Sequence, residues 1–554
     1  MEYMKKNKLK FFWLVAFGFS LGPAAFAVPT VDNGKKTIVV ADTTQPAPVN
    51  WFNLDATQNK VPGVSTEKAY EYLKDRPSKT VVVAIIDSGI DIEHEDLKDK
   101  IWVNEKEVPG NNIDDDKNGY VDDVHGWNFI GGKDGRQVAH DTQELTRLYA
   151  SLKKKFEGPE AAKFQKKEKE NYALYKQVKA EFQKELKETE AQYTQFQQLN
   201  TAYKMASDIL KKHLNQEDFT LSDLENITTS DQRVNQARML ILSMAENKLT
   251  ADVFKEGEDY FISKLKYHLN PNYNPRDIVG DNPNNLKEKG YGNNSVTGPD
   301  AEHGTHVAGI IAANRSNNVG IKGIADNVKI MVIRAVPDGD ERDKDIANAI
   351  YYAVDNGARV INMSFGKDYS PNKEAVDDAV QYAASKGVLL VHAAGNSAKN
   401  IDDAANYPTK KVTPKKEVKN WIEVGASSYG DATKFVGDFS NYGKKSVDVF
   451  APGVDVYSTI PAQQYKANSG TSMAAPVTTG VSALLLSYFP NLTAEQVRDI
   501  ILKSTVKYKD FKVNKPSEGE TKKTAMVPFE DLSVTGGIVN AYEAIRLAET
   551  MAAK

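Results

Sequence analysis

The stretch TVVVAIIDSG, residues 80–89, decides the fold of this chain. Its apolar residues are mostly β-branched and continuous, which predicts a strand buried on both faces, as in a parallel sheet. The strand ends at Asp87. Because ligands bind beyond the carboxyl ends of the strands in such sheets, Asp87 is the first candidate functional residue.

Further β-branched runs alternate with helical stretches along the chain. Residues 345–354 and 373–384 have helical spacing, and Gly357 and Gly387 are expected to end those helices before the next strand. This alternation predicts an α/β fold, with a mainly parallel sheet between two helical layers in an αβα arrangement. The strand candidates are 80–87, 328–334, 359–363, 388–393, 421–425 and 446–450.

Residues 141–300 interrupt this alternation and are rich in Lys, Glu, Gln and Tyr. Apolar residues three or four apart predict a long helix with one apolar stripe, and a second apolar run at 239–244 is expected to return along it. The insertion is therefore predicted to form a helical hairpin or small bundle, with a free coiled-coil dimerisation arm as the alternative. The stripe comprises Tyr175, Val178, Phe182, Leu186, Tyr193, Phe196 and Tyr203. The α/β domain then consists of 28–140 and 301–554.

Residues 1–27 have the pattern of a cleavable signal peptide, with four lysines, an apolar stretch at 11–21 and the small-residue end AFA at 25–27. The pattern predicts a secreted or periplasmic protein, since the apolar stretch is short for the alternative, a membrane anchor. The chain has no cysteine, which excludes disulfides and thiol catalysis. A net charge of −4 gives no general electrostatic reason to bind nucleic acid or to associate with anionic membranes.

Two more segments supply the partners that a carboxylate needs in nucleophilic catalysis. HGTHVAG at 303–309 and GTSMAAP at 470–476 each place a reactive side chain, His303 and Ser472, at the expected start of a helix. A serine hydroxyl needs a base to take its proton, and a carboxylate fixes the tautomer of that base. Taken singly, Ser472 could be a helix cap, His303 a buried imidazole and Asp87 a strand-end cap. Together they predict a catalytic triad.

These motifs resemble those of the subtilisin-like serine proteases over residues 50–140 and 301–545. The resemblance implies a subtilisin-like fold and a serine endopeptidase acting on polypeptides through an acyl-enzyme. It implies that Ser472 attacks, His303 transfers the proton and Asp87 orients His303, while Asn396 donates to the oxyanion. The matching motifs are DSGID at 87–91, HGTHVAG at 303–309, NMSFG at 362–366, AAGN at 393–396 and GTSMAAP at 470–476.

The same resemblance implies where the substrate lies. Ser364, Phe365 and Gly366 would pair with the extended substrate backbone. A side wall near Asp402, Asp403, Asn406 and Tyr407 would help form the first specificity pocket, where the two acids either favour basic side chains or are ordinary loop carboxylates.

Asp87 and His303 are much further apart in sequence than is usual in this family, because the insertion lies between them. The insertion must leave and return at the rim of the active site, so a lid, a substrate-selecting wall and an inhibitory cap all remain open. A different function is an inactive protease-like scaffold whose insertion binds a partner protein. An esterase is disfavoured because Ser472 is not in a GxSxG elbow.

The acidic stretch DDDKNGYVDD at 114–123 predicts a structural Ca²⁺ site, because its oxygens and glycine match the first half of a calcium loop. His125 stands where an EF-hand has its glutamate, so Asp122 or Asp123 would have to complete the shell. The predicted ligands are Asp114, Asp116, Asn118, Tyr120 through its carbonyl, Asp122 and Asp123. The family resemblance implies a second Ca²⁺ site at Asp96, Asn317, Val319 and Ile321.

Overall fold

The computed structural model describes residues 47–413, 416–517 and 525–552. The predicted signal peptide lies outside these residues. The chain divides into two compact units, one containing Leu145–Tyr273 and the other combining Asn33–Glu144 with Asn274–Lys554. Within the described residues, no helix has both the length and the apolar character needed to span a membrane.

The second unit is built on a nine-stranded sheet with the order β12-β15-β9-β8-β5-β4-β1-β3-β2. All of its pairings are parallel except the antiparallel pair β12 and β15 at one edge. The strands of the described chain are β1 Val81–Asp87, β2 Gly126–Asn128, β3 Val328–Arg334, β4 Val360–Met363, β5 Leu389–Ala393, β6 Lys411–Thr413, β7 Lys416–Glu417, β8 Trp421–Ser427, β9 Val449–Pro452, β10 Val456–Ile460, β11 Gln464–Asn468, β12 Val506–Lys507, β13 Lys512–Asn514, β14 Met526–Pro528 and β15 Gly537–Ile538.

Helices cover the sheet in the second unit and make up most of the first. Those of the second unit are α1 Thr66–Tyr72, α8 Arg276–Val279, α9 Glu302–Ala312, α10 Asp343–Asp355, α11 Lys373–Ser385, α12 Thr471–Tyr488, α13 Ala494–Lys503 and α14 Ala541–Ala552. Those of the first unit are α2 Glu144–Phe156, which begins one residue before it, α3 Ala161–Lys167, α4 Lys169–Leu214, α5 Leu221–Glu225, α6 Gln232–Glu246 and α7 Ala251–Ser263.

The sheet register brings the carboxyl ends of three neighbouring strands together. β1 pairs with β4, with Ile86 opposite Met363, and β4 pairs with β5, with Met363 opposite His392. The segments that follow these strands therefore emerge side by side at one edge of the sheet. They carry Asp87, Ser364 and Asn396.

Helix α12 runs through the core and packs against β4, β5, β8 and β9. Most of its residues are small, and nearly all of them are buried. Gly480 is required for close packing, because a Cβ there would lie 2.7 Å from Cβ of Ile324. The helix starts beside the carboxyl edge of the sheet, which brings Ser472 to the same edge as Asp87.

The first unit has its own apolar core. The 46-residue helix α4 packs against α6, which returns along it. Phe196, Met244, Phe254 and Phe261 form one buried cluster, and a second surrounds Leu210 and Ile241. The predicted helical hairpin or small bundle is confirmed, and the apolar stripe is covered within this chain.

The α/β fold with its mainly parallel sheet is also confirmed, and Gly357 and Gly387 adopt positive φ after α10 and α11 as expected. The strand expected at 446–450 instead begins at Val449. Asp448 is buried just before it and binds Lys410 and Arg498, so its side chain anchors the chain before the strand. Residues 274–300, placed in the insertion by sequence, belong to the second unit.

Candidate active site

Asp87 and His303 form a hydrogen-bonded pair at the carboxyl edge of the sheet. His303 Nδ1 lies 2.7 Å from Asp87 Oδ1, and because a carboxylate only accepts, Nδ1 carries the hydrogen. The same oxygen accepts from the backbone N–H of Ser88 at 2.8 Å. Asp87 is 2% exposed, whereas the His303 side chain is 15% exposed. The pair therefore has a buried acid and an imidazole whose Nε2 is free for a second partner.

The close approach of α9 to β1 depends on the residue after His303. A Cβ on Gly304 would lie 2.1 Å from the carbonyl oxygen of Gly89 and 3.3 Å from Cβ of Asp87. Any side chain at 304 would push the first turn of α9 away from the end of β1. The glycine thus sets the distance between the imidazole and the carboxylate.

Ser472 is the second residue of α12 and makes two hydrogen bonds with Ser364. Its hydroxyl donates to the carbonyl oxygen of Ser364 at 3.1 Å, and its own carbonyl accepts from the Ser364 hydroxyl at 3.0 Å. Pro476 explains the second bond, because proline has no N–H to donate to the carbonyl four residues earlier. No hydrogen bond joins Ser472 to His303 in this structure, although α9 and α12 pack against each other.

Asn396 is oriented by Thr471, the residue before the serine. Its Oδ1 accepts from both the backbone N–H and the hydroxyl of Thr471, each at 2.8 Å. This fixes Nδ2 as the outward-facing donor. A Cβ on Gly470 would lie 3.5 Å from Nδ2 of Asn396 and 3.6 Å from the backbone nitrogen of Ser472. The two nitrogens therefore converge on one space, which Gly470 leaves open.

His306, the second histidine of the HGTHVAG motif, has a different environment. It is fully buried, and Nε2 lies 3.0 Å from the carbonyl oxygen of Lys466. Burial lowers the pKa of His306 to about 3, so this imidazole is neutral at ordinary pH. It joins α9 to the β10–β11 hairpin, because its Nε2–H donates to the Lys466 carbonyl.

The segment Ser364–Gly366 lies against the loop that carries Asn396. A Cβ on Gly366 would lie 2.6 Å from Oδ1 of Asn406, and one on Gly395 would lie 3.3 Å from it. The Asn406 amide thus fills the space between the two segments, where it donates to the carbonyl of Ala393 at 3.1 Å. Phe365 is half-buried, with its ring edge-on to His392 at 6.3 Å.

The two acidic residues of the proposed side wall are engaged elsewhere. Asp402 accepts backbone N–H groups of Lys445 and Ser446, and Asp403 accepts from the side chain of Asn400. These contacts favour the ordinary loop-carboxylate interpretation. The neutral amide of Asn406 is the polar group between Ser364–Gly366 and the loop that carries Asn396.

Three carboxylates converge in the acidic loop, and one of them was not predicted. Glu107, Asp114 and Asp116 each offer an oxygen within 4.8 Å of the others. Sequence analysis missed Glu107 because it precedes the calcium-loop pattern by several residues. Glu107 can be recognised only from the fold, in which its two carboxylate oxygens accept the backbone N–H groups of Asp116 and Asp122.

Other predicted ligands of this loop are engaged in hydrogen bonds of their own. Asp122 accepts N–H groups from Gly110 and Asn112. Asp123 is buried and accepts from Tyr352, Asn104 and Asn118. Asn118 directs its Oδ1 to the N–H of Tyr120. The structure therefore does not bring Asp122 and Asp123 into the carboxylate group, and their contacts hold the loop in shape.

At the second predicted metal site, the structure brings Asp96 and Asn317 together. The Asn317 amide nitrogen donates to one oxygen of Asp96, and Tyr465 donates to the other at 2.9 Å. Burial, with the Asp96 hydrogen bond, raises the pKa of Tyr465. Val319 and Ile321 follow in the same loop, with Val319 exposed and Ile321 buried.

Comparison with known proteins places this geometry in context. The model of the subtilase family matches residues 78–520. A thermophilic serine proteinase of Bacillus sp. (strain AK1) is 45% identical over 187 residues, 33% of this chain and 42% of the relative. Subtilisin DY of Bacillus licheniformis is 40% identical over 199 residues, 36% of this chain and 68% of the relative. Thermitase of Thermoactinomyces vulgaris is 40% identical over 186 residues, 33% of this chain and 61% of the relative.

The match to the first and third of these relatives spans less than two-thirds of their length. The family match is more extensive and covers most of this chain. It contains Asp87, His303, Asn396 and Ser472 within one continuous interval. The protein is therefore a member of the subtilase family of serine peptidases.

Proposed function

We propose that the protein is an exported, calcium-stabilised serine endopeptidase that cleaves polypeptides through an acyl-enzyme. Ser472 is the nucleophile, His303 the general base and Asp87 the carboxylate that orients it. The observation that carries the proposal is the 2.7 Å bond from His303 Nδ1 to the buried Asp87, which leaves Nε2 to accept a proton.

In the first half of the reaction, Ser472 Oγ attacks the carbonyl carbon of the peptide bond while its proton passes to His303 Nε2. The carbonyl oxygen becomes negative and lies between Nδ2 of Asn396 and the backbone N–H of Ser472, the two nitrogens that converge beside Gly470. His303 then donates the proton to the leaving amine, and the C–N bond breaks. Water hydrolyses the ester by the same steps, with His303 again as base.

The reaction requires the Ser472 hydroxyl to leave the Ser364 carbonyl and to donate to His303. This is a change of side-chain rotamer, a fast motion in a partly exposed residue. Catalytic hydrogen bonds commonly tighten only when substrate is bound. Substrate backbone would pair with Ser364–Gly366, and the side chain before the cleaved bond would face Asn406. A neutral amide there does not favour basic side chains.

A Ca²⁺ ion fits the group formed by Glu107, Asp114 and Asp116, because three convergent carboxylates repel one another without a cation and Ca²⁺ prefers oxygen ligands. When bound, the ion would hold the loop closed. A second ion at Asp96 and Asn317 needs the Asn317 amide to turn so that its oxygen faces the ion. Sequence supports export, through residues 1–27.

The test is labelling of the full-length protein with a fluorophosphonate, which reacts with an activated serine. Wild-type protein is expected to react at one site, and Ser472→Ala to lose both labelling and casein hydrolysis. Ser469→Ala, on the same segment, is the control and should label normally. Retained labelling of Ser472→Ala would remove this residue from its role, and an unreactive wild type would favour the inactive scaffold.

A further inference from the structure

Lys367 directly follows the segment Ser364–Gly366, and its side chain is only 2% exposed. We propose that Lys367 is a positioning residue, which fixes the substrate-pairing segment and ties it to the stretch of chain from which the helical unit begins. The proposal rests on the proposed function, because it assigns Lys367 a role in holding the peptide substrate.

The backbone of Lys367 fixes one side of this segment. Its N–H donates to the carbonyl of Tyr407 at 3.1 Å, and the N–H of Tyr407 donates back at 2.8 Å. In an extended chain, neighbouring residues direct their backbone groups to opposite sides. Ser364 and Gly366 therefore direct theirs away from Tyr407, to the side where Ser472 contacts the Ser364 carbonyl. A substrate strand would pair with the segment on that side.

The ammonium group of Lys367 lies close to oxygen atoms of Glu144, Asp343 and Glu341. It lies 2.8 Å from a carboxylate oxygen of Glu144, 2.8 Å from one of Asp343 and 2.7 Å from the backbone carbonyl of Glu341. All of these residues are buried. A buried ion cluster with these contacts has few alternative arrangements, because losing any one contact leaves a desolvated charge.

Asp343 extends the same anchor to the far side of the segment. Its carboxylate also accepts from the Ser370 hydroxyl at 2.9 Å and from the backbone N–H of Asn372 at 2.8 Å. Asp343 is the first residue of α10, where a negative charge is favoured by the helix dipole. Lys367 and residues 370–372 are therefore both held to the start of one helix.

Glu144 connects the cluster to residues 141–144, the stretch of chain from which the helical unit begins and which we call its root. It is the first residue of α2, and its N–H donates to Asp340 at 2.8 Å. Just before it, Asp141 receives two bonds from Arg342, at 2.6 and 2.9 Å. A shift of this root would thus act directly on Lys367. Movement of the root would change how well the substrate backbone pairs.

The expected signature is a loss of peptide binding while the nucleophile stays reactive. The partners described above for Lys367 are Glu144, Asp343, Glu341 and Tyr407, and none of them is a proposed catalytic residue, so Lys367→Met should change the rate of fluorophosphonate labelling by less than about twofold. A displaced pairing segment should raise KM for a tetrapeptide anilide by about tenfold or more. The rise should be much smaller for a single-residue ester, which does not use the segment.

The experiment compares labelling rates and steady-state kinetics of the full chain with Lys367→Met, Lys367→Arg and Lys399→Met. Lys367→Arg keeps the charge and should recover most of the lost peptide binding. Lys399→Met removes an exposed ion pair with Asp368 beside the same segment and should leave KM near the wild-type value. If Lys367→Met does not fold, Glu144→Gln should give the same split to a smaller extent.

An unchanged KM for the tetrapeptide would overturn the proposal, and so would a parallel loss of labelling, ester hydrolysis and peptide cleavage. A wild type that neither labels nor cleaves would instead refute the proposed function. The two failures are therefore distinguishable.

Discussion

At the scale of single residues, the active site is organised by groups that do no chemistry themselves. Thr471 occupies the acceptor oxygen of Asn396, which leaves the amide nitrogen as the donor facing the site. Gly304 allows the imidazole to approach Asp87. Pro476 leaves the Ser472 carbonyl to Ser364. Asn396 and the Asp87–His303 pair are thus oriented before a substrate arrives, which lowers the cost of reorganisation, whereas the Ser472 hydroxyl still has to turn towards His303.

Replacing Asn396 with Ala should lower kcat by about 10²- to 10³-fold with little change in KM, the range known for the corresponding amide of subtilisin itself. The reason is that Nδ2 would stabilise negative charge that exists only after attack. Steady-state kinetics on a peptide anilide would measure the effect. Asn400→Ala, in the same loop, is the control, and an equal loss there would indicate a disturbed loop instead.

Glu341 should make the stability of the protein depend on pH. Burial raises the pKa of Glu341 to about 8, against the opposing effect of the Lys367 ammonium and with Asp340 and Asp343 nearby. Its ordinary value is 4.5, so between these pH values the folded state binds more protons than the unfolded state. The contribution of Glu341 to the free energy of unfolding is fully present below pH 4.5 and is lost as pH rises towards 8.

Glu341→Gln removes this titration and keeps the shape of the side chain. The free energy of unfolding of the wild type should fall relative to the variant as pH rises from 5 to 8, by at most about 1.4 kcal/mol per pH unit. Urea unfolding at a series of pH values measures the difference. A constant difference across this range would show that Glu341 has an ordinary pKa in the folded protein.

At the scale of elements, local sequence predicted most of the sheet, because buried parallel strands read as continuous apolar runs between glycine-ended helices. Five of the six strand candidates coincide with observed strands within two residues. The short strand β2 escaped because GWN at 126–128 has no β-branched run, and it is held by pairing with β3. Pairing with a strand that is distant in the chain leaves no pattern in the local sequence.

The site was predictable to a similar degree. Motifs predicted Asp87, His303, Asn396 and Ser472, since each needs particular neighbours in sequence, and their catalytic roles remain a proposal. The roles of Glu107 and Lys367 depend on contacts with residues distant in sequence or outside any motif. An isolated glutamate or lysine has no pattern to reveal it. Long-range contacts of this kind therefore had to come from the structure.

The acidic loop is the element whose stability should depend on calcium. Binding to the folded state alone stabilises by about 2.7 kcal/mol when the ion is at a hundred times its Kd. Chelation with EGTA should therefore lower the Tm of the wild type, and Glu107→Gln should lose most of this response because it removes one of the three convergent carboxylates.

Asp122→Asn is the matched control, because its carboxylate accepts N–H groups of Gly110 and Asn112. It should lower Tm by a similar amount with and without calcium. Calorimetry in the two conditions checks both variants. If Glu107→Gln keeps the full response while Asp122→Asn loses it, the ion binds Asp122, as predicted from sequence, and not Glu107.

At the scale of the whole molecule, the chain contains two separately cored units. The clusters around Phe196 and Leu210 are made only of residues from the helical unit, while the sheet and α12 carry the core of the other. All four proposed catalytic residues lie in the second unit. A long insertion is tolerated between Asp87 and His303 because lengthening a loop adds little closure entropy.

Replacing residues 145–273 with a short glycine-serine linker should therefore leave a folded, reactive protease domain. Glu144 is kept, so the carboxylate that pairs with Lys367 remains. Fluorophosphonate labelling should continue at a rate within about threefold of the wild type, because the unit that carries Asp87, His303, Asn396 and Ser472 has its own core. Circular dichroism would verify that the shortened chain is folded.

Cleavage of a peptide library by the shortened and full-length proteins then tests what the helical unit contributes. If the unit gates access, the two proteins should differ in rate or preference for long substrates while labelling at similar rates. Coincident profiles would exclude gating, and a folded but unlabelled variant would mean that the helical unit is needed to assemble the triad. Because labelling reports the nucleophile and the library reports access, the two functions of the chain can be separated.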